Sequence, residues 1–267
     1  MDKVKILEMT SDEFQRSIDE QGKDQSIAII PVASTEELGQ HGPLGADVFV
    51  ADHVSELVGR KCNCIVSPVI PVGEAGDMMS WPGTLSSRSN ILKEYYLDIC
   101  RSYIHHGIRR IFFFTAHLGN LRSVEYCGKL LRKEGVLVSQ VDWWRAAARA
   151  AEGLMEDTTA PTGHGGELIT SVLLAIKPGL VHLDRTENVE ASAALQRHLP
   201  HTAISGGPYY TYPSFEDFTS SGAWGDLSYV SADKGRRIIE RSVVSIADFI
   251  GKFRAEPLPA PTNSTWL

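Results

Sequence analysis

Glu36, Glu37, His41 and Asp47 fall within one stretch, Pro31–Asp47, interleaved with Gly39, Gly42, Pro43 and Gly45. The acids and the imidazole are ligand or proton-transfer groups. The glycines and proline shape a backbone rather than fill a core. Two later segments carry the same chemistry: Ala116-His-Leu-Gly-Asn120, with His117 and Asn120, and His164-Gly-Gly-Glu167. Carboxylates with one or two imidazoles suit a divalent metal, zinc first, with manganese or iron also open. A metal in such a setting lowers the pKa of bound water to about 7 and polarises a carbonyl. Simpler roles stay open for single residues. Asp47 can be a helix N-cap, Asn120 can cap the next helix, and Glu167 can answer a helix dipole.

These segments need a frame that brings them together. Ser26–Ile30 is a pure strand run directly before the first loop, and Arg110–Thr115 is an apolar run directly before His117. Cys64–Ile70 and Gly135–Val141 read as two further strands. Helical patterns alternate with them. Thr10–Glu13 is a capping box opening a first helix that stops at Gly22. Others run from Val48 to near Arg60, from Asn90 (capped by Ser89) to His106, and after Asn120 to Lys133. Further helices cover Arg145–Gly153, Leu168–Ile176 and Ser231–Phe253. Val189–His198 is a polar helical candidate, whereas Asp157–Gly163 and Ser205–Pro213 read as loop. Strands alternating with helices predict an α/β domain, a three-layer αβα sandwich with a mostly parallel central sheet. One domain is expected over residues 1–267, with a short Pro-rich tail from about residue 255. In open sheets of this kind, ligands bind at the carboxyl ends of the strands, where the first two segments fall.

On those residues, the chain resembles the creatininase (creatinine amidohydrolase) family. Pro31-Val-Ala-Ser-Thr-Glu36 through Leu44-Gly-Ala-Asp47 is similar to its Pro-x-Gly-Ser-x-Glu-Gln-His-Gly-x-His-Leu-Pro-Leu-x-Thr-Asp signature. Thr115–Asn120 resembles its Asn-x-His-Gly-Gly-Asn segment, and Trp81–Leu85 its Pro-Gly-Thr loop. His164-Gly-Gly-Glu167, followed by Thr170-Ser171, resembles its His-Ala-Gly-Glu-x-Glu-Thr-Ser helix start. The resemblance implies a metal-dependent hydrolase acting on a cyclic amide or related carbonyl substrate. It implies Glu36, Asp47 and His117 as metal ligands, Glu167 as the carboxylate completing the site, and His164 as the proton-handling catalytic residue. Glu167 can also share in catalysis. His41, Asn120 and Trp144 are assigned to the substrate, with His41 an alternative second-metal ligand. The pattern departs at Leu38, Gly119 and Ile169, where family ligands or acids would stand, which implies a divergent branch with a single metal. The resemblance also implies a homo-oligomer, often a hexamer. A keto-inositol ring-opening hydrolase and a non-catalytic metal-bound scaffold are the alternatives.

Bulk properties agree with a small-molecule enzyme. The chain has 267 residues, is 43% hydrophobic and 22% charged, and carries a net charge of -7. That acidity argues against nucleic acid and anionic membranes as partners. No run approaches the roughly 18 apolar residues of a membrane span. The start, Met1–Lys5, has no apolar segment, so no signal peptide is expected. Cys62, Cys64, Cys100 and Cys127 do not space as a zinc or redox motif and read as free thiols. A cytoplasmic location is expected.

Overall fold

Every residue of β1 (Ile27–Val32) and β3 (Arg110–Thr115) is buried. Their side chains alternate between two separate cores, as the two-residue period of a strand requires. Ile27, Ile29, Phe112 and Phe114 enter one core, while Ala28, Ile30, Val32, Ile111 and Phe113 enter the other. A computed structural model of the chain describes residues 3–157, 162–185, 214–217 and 219–262. In it, β1 and β3 are the middle of a four-stranded parallel sheet. β2 (Ile65–Val66) flanks β1, and β4 (Leu137–Asp142) flanks β3, giving the order β2-β1-β3-β4.

Four helices supply the first core: α2 (Ala46–Cys62), α5 (Trp143–Ala150), α6 (Glu167–Ile176) and α7 (Ala232–Ala255). Three supply the second: α1 (Ser11–Gln21), α3 (Ser89–His105) and α4 (Leu121–Lys133). The molecule is therefore the three-layer αβα sandwich that the sequence predicts. The capping box forms as expected. Glu13 N–H donates to Thr10 Oγ1 at 3.3 Å, and Thr10 N–H donates to Glu13 Oε2 at 2.7 Å. All four cysteines are free. Residues 260–262 lie along the end of α4, where Thr262 N–H donates to the Lys133 carbonyl at 2.9 Å. No described helix is long and apolar enough to cross a membrane.

Three local expectations are corrected. The strand expected over Cys64–Ile70 is only Ile65–Val66, and Ile70 rejoins as a lone bridge to Val32. Pro68, which has no N–H for a ladder, lies in the gap. The N-cap of α2 is Gly45, so Asp47 lies inside the first turn. Ser89 does not cap α3, because Arg88 holds the N-cap position and Ser89 is the first helical residue, its hydroxyl donating to Glu74 Oε2 at 2.9 Å. The helical candidate Val189–His198, the stretch Ser205–Pro213, and residues 158–161 of the expected 157–163 loop lie outside the described residues.

Candidate metal centre

The connection after β1 runs through α2 on one face of the sheet, and the connection after β3 runs through α4 on the other. This divergence between adjacent parallel strands is a topological switch point, where open sheets leave a crevice at their carboxyl ends. Val32 pairs with Thr115 at the last register position, and Ala116 N–H donates to the Val32 carbonyl at 2.9 Å. The loop carrying Glu36 and the loop carrying His117 therefore leave the sheet side by side.

Glu36, Asp47 and His117 converge there. One ligand-type atom from each lies within 4.8 Å of the others, and all three residues are buried. His117 Nδ1 is 2.8 Å from Glu36 Oε2 and 3.4 Å from Asp47 Oδ2. Its Nε2 contacts the Glu74 carbonyl at 2.7 Å. A backbone carbonyl only accepts, so Nε2 is the donor and a neutral ring presents a bare lone pair at Nδ1. The approaches at Nδ1 are close but not aligned as hydrogen bonds, and Glu36 Oε2 and Asp47 Oδ2 have no hydrogen-bond partner. Buried carboxylate oxygens left so are costly unless a cation faces them. The donor set therefore fits a divalent ion. The three groups also shift one another's proton affinity. Burial and the nearby Glu36 charge push Asp47 up to about 6. Burial also disfavours charge on Glu36, but His117 outweighs it and holds Glu36 below the usual carboxylate range. Burial likewise opposes charge on His117, yet the two acids hold it well above the ordinary imidazole value.

His164 forms a second centre with Glu37. Its Nε2 lies 2.9 Å from the Glu37 carbonyl and 3.4 Å from Glu37 Oε1. Burial lowers its proton affinity, but the Glu37 carboxylate more than compensates and raises it. Glu37 is itself held by Gly39 N–H, which donates to Oε2 at 2.9 Å, and its own N–H donates to Thr84 Oγ1 at 3.1 Å. Gly222 completes the pocket around Glu37, since a Cβ there would overlap Oε2. Around His164 stands an aromatic wall. Phe215 meets the imidazole edge-on at 5.0 Å between centroids, Trp224 lies at 5.9 Å, and Trp81 packs on Phe215 at 5.7 Å. Sequence reasoning left Glu37 undecided and passed over Phe215. The clearest signal for Glu37 was that an acid stands where the resembled signature has Gln.

The remaining expected site residues lie around this cluster rather than within it. Glu167 has no exposed surface, and both its oxygens are committed. Lys234 Nζ donates to Oε1 at 2.6 Å, while Asp157 and Glu156 N–H donate to Oε2 at 2.8 and 3.1 Å. It is not among the clustered ligand atoms, so its expected part in the metal site and in catalysis finds no support in this geometry. His41 Nε2 contacts the Gly165 carbonyl at 3.0 Å and Thr170 Oγ1 at 3.1 Å, which braces the loop bearing His164. Asn120 is fully buried, with Nδ2 donating to the Ala33 carbonyl at 3.0 Å and Oδ1 accepting from Glu74 N–H at 3.1 Å. Trp144 Nε1–H donates to the Ala116 carbonyl at 2.5 Å and lies 3.3 Å from Asp47 Oδ1. All three therefore face protein groups that hold the site. Leu38 is a core residue, and a Cβ at Gly119 would fall on the Glu74 carbonyl oxygen.

The arrangement defines a class: a parallel αβα frame with a buried candidate metal centre, its ligand atoms on the loops after β1 and β3 and in the first turn of α2. Residues 7–250 match the family model described as creatininase, creatinine amidohydrolase. A mycofactocin precursor peptide peptidase of Mycobacterium ulcerans is 30% identical over 238 residues, 86% of this chain and 86% of that protein. A creatinine amidohydrolase of Pseudomonas putida is 26% identical over 265 residues, 92% of this chain and 96% of that protein. A solved mutant creatininase of the Zn-Zn type superposes with a TM-score of 0.77 at 25% identity, over 95% of this chain and 99% of that one. The chain belongs to the creatininase family.

Proposed function

We propose that this hydrolase cleaves an amide-type C–N bond of a small molecule, using one divalent ion held by Glu36, Asp47 and His117. The observation that carries the reading is the buried convergence of these three groups, with Glu36 Oε2 and Asp47 Oδ2 lacking hydrogen-bond partners. A bound divalent ion supplies an acidified water and a Lewis acid for the substrate carbonyl. Zinc is the first choice for one imidazole and two carboxylates, with manganese and iron behind it. The Zn-Zn type of the related creatininase supports this choice.

The chain's own groups divide the work. Glu36 and Asp47 are buried, where carboxylate charges act more strongly than in water. His164 is fixed through Nε2 by Glu37, which leaves Nδ1 to pass a proton to the leaving nitrogen. Phe215, Trp224 and Trp81 exclude water beside it and suit a flat substrate. His41, Asn120 and Trp144 act as positioning groups rather than substrate contacts. A cyclic amide is the favoured substrate, since the Pseudomonas putida relative is named for creatinine. The peptidase name of the Mycobacterium ulcerans relative concerns the same class of bond.

The reading also includes self-association. What supports it is the resemblance of the motifs to an oligomeric family. Elemental analysis of the purified chain tests the core proposal. About one divalent ion per chain, lost in Glu36→Ala and His117→Ala, with turnover of lactams or short peptides, is expected. Absence of metal after reloading with zinc, manganese and iron would sink it.

A further inference from the structure

We infer that Asn120 is a positioning residue of the metal centre: by anchoring the Glu74 N–H it helps place the Glu74 carbonyl, which takes the Nε2 proton of His117 and leaves Nδ1 for the ion. The inference rests on the metal reading above. His117 reaches Glu74 O at 2.7 Å through Nε2, on the side of the ring away from Glu36 and Asp47. Glu74 belongs to the irregular segment after β2, which has no ladder of its own to fix its carbonyl. Two side chains hold it from either side: Ser86 Oγ accepts from Ala75 N–H of the same peptide unit at 3.0 Å, and Asn120, three residues after His117, holds the preceding unit. The Asn120 Oδ1 accepts from the N–H of Glu74 itself, and Nδ2 donates to Ala33 O at the end of β1. One side chain thus ties together the loops after β1, β2 and β3.

Two glycines mark how closely these groups approach. A Cβ at Gly73 would lie 2.6 Å from Asn120 Oδ1 and 2.7 Å from Ala33 O. A Cβ at Gly119 would fall on Glu74 O and lie 2.5 Å from His117 Nε2. Neither glycine needs a positive φ, so space alone accounts for them. The neighbouring atoms are backbone, a buried amide and the His117 ring itself, so a side chain at either glycine would disturb the centre. The acceptor for His117 is a main-chain carbonyl, so no side-chain substitution removes it directly. Asn120 and Gly119 are the handles on it.

An acceptor behind a ligating imidazole fixes its tautomer and orientation, and its loss typically costs about 10–100-fold in metal affinity. The test measures zinc affinity by competition with a chromophoric chelator in the wild type, Asn120→Ala, Gly119→Ala and His117→Ala. Urea unfolding of each metal-free protein reports the fold separately. Nitrogen-15 NMR of the zinc-loaded proteins reads which His117 nitrogen carries hydrogen and how fast that hydrogen exchanges. Expected is zinc binding about 10–100-fold weaker in Asn120→Ala and Gly119→Ala. The wild-type Nε2 proton should be protected and the variants' should exchange faster. Wild-type affinity in folded Asn120→Ala, or a wild-type ring protonated at Nδ1 with zinc bound, would overturn the inference while leaving the metal site standing. If Asn120→Ala does not fold, Asn120→Ser decides, because it removes the amide contacts to Glu74 and Ala33 with a polar side chain kept in place: weaker zinc binding is expected, and wild-type affinity would overturn the inference. Equal zinc binding by the wild type and His117→Ala would instead overturn the metal reading, and this inference with it.

Discussion

Lys234 on α7 donates to the fully buried carboxylate of Glu167 on α6 at 2.6 Å, and this pair stitches the two helices together. Breaking a buried pair by removing one partner leaves an uncompensated charge and typically costs 3–5 kcal/mol. Glu156 and Asp157 N–H still hold Glu167 in Lys234→Met, so a loss near the low end, about 3 kcal/mol, is expected in urea unfolding. Glu167→Gln should also destabilise the protein yet leave its metal content unchanged. Metal lost from folded Glu167→Gln would return that residue to the ligand set.

His117→Ala and His164→Ala should separate the two centres. The first removes Nδ1 between Glu36 and Asp47, so metal and activity should disappear together. The second leaves the three clustered groups intact. It should retain metal while turnover falls by roughly 10²–10⁴, the usual contribution of a positioned acid or base. Metal analysis beside single-turnover assays checks this. Full activity in His164→Ala would remove it from the mechanism.

Gly222 lies at φ +85°, and a Cβ there would overlap Glu37 Oε2. Gly222→Ala should therefore displace Glu37 and release His164 Nε2 from its partner, with metal content unchanged. Lower kcat together with a lower unfolding midpoint is the expected signature, since an L side chain at positive φ is strained. An unchanged kcat would show that the Glu37 contact does not orient the imidazole.

Burial lowers the proton affinity of His41, the Gly165 carbonyl opposing it only in part. Its folded pKa is thus below the ordinary 6.5. The unfolded chain then binds more protons in acid, so this contribution to stability is complete above about pH 6.5 and is lost as pH falls below it. Unfolding free energies of the wild type at pH 8 and 5.5 should differ by more than those of His41→Gln. Equal differences would mean that His41 does not titrate with folding.

The alternation of strands and helices was legible because burial imposes a period on each element. Ile27–Ile30 and Arg110–Thr115 read as strands and form β1 and β3. The ends were less legible where a local signal had a distant competitor. Ser89 looks like a cap until Arg88 proves to hold that position and Glu74 takes the hydroxyl, and Asp47 looks like a cap until Gly45 proves to hold that position.

The site divides along the same line. Residue types offered Glu36, Glu37, His41, Asp47, His117, Asn120, His164 and Glu167, because metal and proton chemistry admit few side chains, and the family resemblance singled out Glu36, Asp47, His117, His164 and Glu167 among them. Which groups meet depended on the β2-β1-β3-β4 order, which sets the loops after β1 and β3 side by side. Glu167 and His164 share one short motif, yet His164 is held by Glu37 and Glu167 by Lys234 from a helix 67 residues further along. Phe215, Trp81 and Trp224 come from separate segments and meet only around the folded imidazole. The sequence alone determined which chemistries the chain could offer, since that depends on side-chain type and local period. Only the tertiary structure decided which acid faces which cation, because that depends on contacts between residues far apart in the chain.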